Sequence, residues 1–376
     1  MTAEAASPEY SNARVAGRFL RFGGSFWRGA SARRAWLLSL GLFGASLALV
    51  GFVLLINRWM AVFFDAIERR DAPAIWAGLA QIALLGAAAA ASNGLATWLR
   101  QTLQIAWREF LTRRLLGMWL DLGSSHHVEA WGRDVDLPEF RIAEDVRMSV
   151  DSLVDFAASL LNSFITAAAF ITVLWNVGGA ITLPAGGIVI PGYLVWLAIL
   201  YAIVMSTGVG MLGRPLVHAS ERKNAAEASF RSDMVELGQI PVEVSLRHGD
   251  DTERARVLRD VERLFARWRQ IVVYQSRVAV LVNANITFMP IVPLLATSPK
   301  YLAAEMSLGA IMQCSAAFIQ AQYAFNWFFD NYLRIADWLA NTVRVVRLLD
   351  ALEAGAGGTE ISPVSHDAGD GVGRAV

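Results

Sequence analysis

The sequence predicts an all-α integral membrane protein with six transmembrane helices. Three observations predict it: a composition 55% hydrophobic and only 18% charged over 376 residues, six long runs free of Asp, Glu, Lys and Arg, and a lopsided distribution of arginine among the connections. Soluble domains carry about 25% charged residues, so a soluble chain of this composition would lack polar surface. Cys314 is the single cysteine, which excludes an internal disulfide and a cysteine-cluster metal site. Lys plus Arg and Asp plus Glu number 33 each, so no basic excess points to nucleic acid, and no such partner is expected.

The bilayer's hydrocarbon core is about 30 Å thick and takes about 20 apolar residues as helix. Residues 35–56, 74–99, 156–177, 188–212, 278–297 and 308–329 each meet that length without a charge. In such a helix every backbone hydrogen bond is internal, which lipid requires. The first run follows a 34-residue arginine-bearing segment and has no small-residue cleavage site before Asn57-Arg58-Trp59. It therefore reads as a retained anchor, not a cleaved signal.

Outside these runs, 29 of the 33 Lys and Arg residues fall in 1–34, 100–155, 213–277 and 330–376. Only four fall in 57–73, 178–187 and 298–307. Six crossings with that asymmetry predict both termini in the cytoplasm. The expected organisation is a cytoplasmic tail over 1–34, a transmembrane domain over 35–350, and a disordered Gly/Ala/Ser/Asp-rich tail over 351–376. Within the domain, 100–155 and 213–277 are long, rich in Ala, Leu, Arg and Glu at helical spacing, and read as cytoplasmic helical hairpins. Gly123-Ser124-Ser125 and His248-Gly249-Asp250 mark their turns.

Four segments carry a family resemblance. They are Ile56-Asn57-Arg58-Trp59 with Phe63-Phe64-Asp65; Asp136-Leu137-Pro138-Glu139-Phe140-Arg141-Ile142-Ala143-Glu144-Asp145; Arg214-Pro215-Leu216 through the stretch Glu221-Arg222-Lys223 to Arg231; and Phe329-Asp330-Asn331-Tyr332 with Ala336-Asp337-Trp338 and Arg344–Leu349. In this order and spacing they resemble the SbmA/BacA-like peptide transporters. They also resemble the membrane domain of ABC half-transporters of the YddA-like and peroxisomal fatty-acyl type. In the second segment, Pro138, Arg141 and Ile142 match the family signature, while Leu137, Glu139 and Phe140 depart from it.

The resemblance implies an ABC-exporter-like membrane domain that pairs as a homodimer in the cell inner membrane. It implies import of peptides or peptide-like compounds by alternating access, driven by protons. The two lysines, Lys223 after Arg222 and Lys300 after Pro299, do not stand in a phosphate-binding loop. Energy is therefore expected from an ion gradient or from a separate ATPase subunit. No enzymatic activity, cofactor or metal is expected. His126-His127 lacks a spaced third ligand, and no nucleophile motif is present.

Proton coupling needs carboxylates in a partly dry setting. Glu227 is the first candidate, followed by Asp233, Asp337, Asp65, Asp330 and Glu144. The alternative is a solvated helix face with intrahelical pairs such as Glu227–Arg231. For the substrate path, Asn283 and Thr287 share one helical face and Gln313 and Gln320 another. Hydrogen bonding between helices accounts for those residues equally well. Pro290 and Pro293 are expected to bend the fifth run.

Overall fold

The computed structural model describes residues 12–121, 138–182, 187–238 and 250–358. The helices are α1 (Asn12–Gly23), α2 (Ala32–Glu68), α3 (Ala72–Asp121), α4 (Pro138–Gly178), α5 (Tyr193–Gly238), α6 (Asp250–Phe288), α7 (Ile291–Leu302) and α8 (Leu308–Gly358). A 3-10 turn covers Gly24–Trp27, and α4 takes a π turn over Arg141–Asp145. The two short strands β1 (Ala180–Thr182) and β2 (Val189–Pro191) pair antiparallel, with Ile181 opposite Ile190. The chain is thus an all-α membrane protein with one small hairpin.

Five helices among the described residues are long and apolar enough to cross a bilayer: Ala32–Glu68, Ala72–Asp121, Pro138–Gly178, Tyr193–Val235 and, with α6 and α7 taken together, Ala255–Leu302. The sixth expected crossing, 308–329, opens α8 without a charge. Gln313, Gln320, Gln322 and Asn326 make it less apolar than the others. The fourth run is expected from residue 188, but its helix starts at Tyr193 because residues 189–191 join the hairpin. Gly192 then turns the chain at φ +60°, and a Cβ there would lie 2.2 Å from the Trp175 ring. Only glycine suits that position. The fifth run breaks between Phe288 and Ile291 at Pro290, which has no amide hydrogen to donate.

The described residues divide into two compact units. The first takes residues 12–51, 87–121, 138–162 and 330–358. Its core is built on the stripe Val15, Phe19 and Phe22 of α1, which packs with Leu111 and Leu115 of α3, Val146 and Val150 of α4, and Val345, Leu349 and Leu352 of α8. Arg18 of α1 pairs with Asp350 at 2.9 Å and also with Glu353. Residues 12–27, inside the segment expected to be a tail, are therefore helical and packed. At the other end, α8 runs to Gly358, so 351–358 are helical where disorder is expected. Residues 359–376 lie outside the described residues, as do both hairpin turns up to Gly249 and His126-His127.

The second unit takes residues 52–86, 163–182, 187–238 and 250–329. Phe170 and Leu174 of α4, Leu194 and Ala198 of α5, Met289, and Cys314, Phe318 and Ala321 of α8 form its core. Asp71 caps α3 by accepting the Ala74 amide at 3.2 Å. The start of α8 is capped three times. Glu68 accepts the Leu308 amide at 3.3 Å, Asp65 the Gly309 amide at 2.8 Å, and Ser307 the Ala310 amide at 3.2 Å. These are the donors a helix start leaves without intrahelical partners.

Candidate functional site

Within the second unit, α5 presents a face on which Ile199, Ile203, Ser206, Thr207, Gly210 and Arg214 recur at steps of three and four. With Phe325 of α8 they line a cavity of about 670 Å³. Its walls are mostly apolar, with two hydroxyls partway along and a guanidinium at one end. Arg214 is exposed and has no carboxylate partner among the described residues. An apolar cavity with a few placed polar groups is the usual form of a site for an organic ligand. The Arg214 guanidinium is the charged group in its lining.

Around the cavity the buried polar side chains are mostly bonded inside the unit. Gln322, 1% exposed, donates to the Ala198 carbonyl at 2.8 Å. The Tyr201 hydroxyl donates to Asn285 Oδ1 at 2.7 Å. Asn57 Nδ2 donates to the Gln313 carbonyl at 3.0 Å. These bonds fix α2, α5, α6 and α8 side chains in place and leave Ser206, Thr207 and Arg214 as the polar groups facing the cavity.

The expected path residues fall elsewhere. Asn283 Nδ2 donates to the Ala279 carbonyl and Thr287 Oγ1 to the Asn283 carbonyl, both within α6 and both exposed. Gln313 is engaged through its backbone, and neither it nor Gln320 lines the cavity. The signal that could have found the α5 stripe is its spacing, closed by Arg214. Inside an uncharged run, though, two hydroxyls and a glycine carry little signal.

The six candidate acids have separate surroundings. Asp65 caps α8, as described. Glu144 pairs with Arg147 one turn on, and Arg147 also lies 3.7 Å from Asp151. Glu227 pairs with Lys223 at 3.3 Å, not with Arg231, and the Lys223 ammonium sits 4.7 Å from the Trp268 ring centre. Asp233 of α5 accepts from Arg256 of α6 at 2.9 Å. Asp337 is exposed and without an ion pair among the described residues. Asp330 follows the last uncharged run, and desolvation pushes its carboxyl above the usual carboxylate range. Among the described residues, these contacts involve a different partner for each acid that has one. Among the described residues the buried acid is instead Asp145, 1% exposed, gripped by Arg344 through two bonds of 2.9 and 2.8 Å.

The family described as ABC transporter transmembrane region 2 matches residues 30–302. Among curated proteins, an Escherichia coli protein named inner membrane ABC transporter ATP-binding protein YddA is 23% identical over 320 residues, covering 84% of this chain and 57% of its own length. An uncharacterized ABC transporter ATP-binding protein of Synechocystis is also 23% identical, over 84% of this chain and 46% of its own. The chloroplastic ABC transporter D family member 2 of Arabidopsis thaliana is 20% identical over 80% of this chain and 41% of its own. The chain thus spans about half the length of the curated relatives it matches.

Proposed function

Because the chain belongs to the ABC transporter transmembrane region 2 family, we propose that it moves peptides or peptide-like compounds across a cell inner membrane by alternating access, driven by a proton gradient. As a membrane transporter of the ABC type it is a transport component. The cavity between α5 and α8 supports the cargo class. Its apolar walls suit side chains, its Ser206 and Thr207 hydroxyls suit amides, and Arg214 suits a terminal carboxylate. Alternating access would expose this cavity to each side in turn. Two copies supply the enclosure that one bundle cannot, so the working unit is a homodimer with both termini cytoplasmic, as the arginine asymmetry favours. Asp330, whose carboxyl desolvation raises above the usual carboxylate range, is the acid of the six we place first for proton exchange.

A second reading keeps transport and takes energy from a separate ATPase subunit. The names of the Escherichia coli and Synechocystis relatives, both ATP-binding proteins, favour it.

Purified protein in liposomes separates the two. With a pH gradient imposed and no ATP, a fluorescent peptide enters on the first reading and stays out on the second. Entry that needs ATP and an added ATPase establishes the second; no entry under either gradient polarity overturns the first. Arg214→Gln raises the KM for a free-acid peptide several-fold and leaves the same peptide as its C-terminal amide unchanged. Equal effects on both would remove the carboxylate role.

A further inference from the structure

The first unit has a cavity of its own, about 460 Å³, walled by Leu20, Trp27, Leu42, Trp107, Val154 and Ala157 among others. The two indole N–H groups in its wall are already used. Trp27 Nε1 donates to Ser39 Oγ at 3.1 Å and Trp107 Nε1 to the Gly23 carbonyl at 3.0 Å. Apart from the Ser39 hydroxyl that accepts the Trp27 N–H, the wall presents carbon to whatever enters, and a charge or several amides placed there would lose hydration that one hydroxyl cannot replace. An unbranched hydrocarbon chain has no such loss.

Beside this recess the chain is cationic. No Asp or Glu occurs between Glu9 and Asp65, while Arg28, Arg33 and Arg34 cluster where the 3-10 turn gives way to α2. All three are exposed and form no ion pair among the described residues. Arg28 directly follows Trp27 of the cavity wall, and Arg33 and Arg34 stand in the first turn of α2, where the helix dipole also favours an anion. Immediately beyond them Trp36, Leu37 and Leu40 are 54%, 63% and 60% exposed, the chemistry of a surface entering lipid. A basic cluster at a membrane boundary attracts anionic headgroups.

We propose that this corner binds one anionic phospholipid, with an acyl chain in the cavity and the headgroup phosphate on Arg28, Arg33 and Arg34. The occupant is a lipid and not the transported cargo, because the recess is lined by carbon except for one serine hydroxyl already engaged by Trp27. The proposal is independent of the cargo and of the energy source. Anchoring α1 and the start of α2 through a lipid would make the protein's behaviour depend on the anionic fraction of its membrane.

The test uses the full chain in detergent, titrated with dioleoyl phosphatidylglycerol or dioleoyl phosphatidylcholine and read by native mass spectrometry. Wild type retains one phosphatidylglycerol at least tenfold more strongly than phosphatidylcholine, and millimolar inorganic phosphate does not displace it. The triple variant Arg28→Gln, Arg33→Gln, Arg34→Gln loses that preference about tenfold or more. Ala157→Phe, at an exposed position on the cavity wall, fills the recess and loses retention of both lipids. Gel filtration and unfolding midpoints confirm that both variants are folded. Equal retention of the two lipids by wild type, an unchanged preference in the arginine variant, or full retention by Ala157→Phe each overturns the proposal.

Discussion

The helix α8 is fastened by carboxylates in both units, but by two different chemistries. In the second unit, Asp65 and Glu68 accept backbone amides at its start. In the first unit, Asp145 accepts a guanidinium from Arg344, partway along it. A cap satisfies donors that any oxygen could satisfy, so its charge is secondary. The Asp145–Arg344 pair places a carboxylate at 1% exposure, where ionisation without the arginine would be costly. The same residue type is therefore replaceable by a neutral acceptor in one place and dependent on its partner's charge in the other.

That difference predicts a ranked set of effects. Arg344→Ala strands the buried Asp145 carboxylate and is expected to cost about 3–5 kcal/mol. The unfolding midpoint in detergent reads it. A loss no larger than that of a surface arginine such as Arg113 would show that Asp145 is not held by charge.

Gly309 comes next. A Cβ there would lie 1.9 Å from the Ala61 carbonyl oxygen and 2.5 Å from Asp65 Oδ1. Gly309→Ala must push the start of α8 away from α2 and break the cap, at a cost of about 1–3 kcal/mol. A neutral result in the same melt would mean that the two helices approach less closely than the geometry requires.

Asp65 sharpens the comparison itself. Asp65→Ala removes the cap and costs about 1 kcal/mol, while Asp65→Asn keeps an acceptor oxygen and costs little. Peptide entry into liposomes under a pH gradient follows the same order, with Asp65→Asn close to wild type. Entry lost in Asp65→Asn despite an unchanged melt would turn Asp65 from a cap into a proton carrier.

Much of this architecture is legible in the sequence because lipid constrains composition so strongly. A run such as 35–56, with no charge over its whole length, suits a bilayer far better than a soluble core. The segment order around Pro138, Arg141 and Ile142 anticipates the family match. The rest depends on contacts between distant positions. Nothing in the sequence around Asp65 shows that it caps a helix start 244 residues later; only the Gly309 contact reveals that. Glu227 has basic residues four positions away on both sides, and spacing alone cannot choose Lys223 over Arg231. The packed α1 is hidden because Val15, Phe19 and Phe22 are interleaved with arginines that make the segment look like a polar tail. The α5 cavity stripe is hidden for the opposite reason, since an uncharged run draws attention only to its length.

Asp330 carries the smallest effect and tests the same distinction from the opposite side. Nothing among the described residues pairs with it, and desolvation raises its carboxyl above the usual range. A raised carboxyl favours the protonated state of the folded protein. Its contribution to stability is therefore fully present below the unfolded value of about 3.9 and is lost as pH rises through the folded value. Asp330→Asn is neutral at every pH and escapes that loss. The variant should melt slightly above wild type at pH 7.5 and together with it near pH 4. Melts that coincide at both pH values would show that Asp330 is ordinarily solvated, and would remove the reason for placing it first among the proton-exchanging acids.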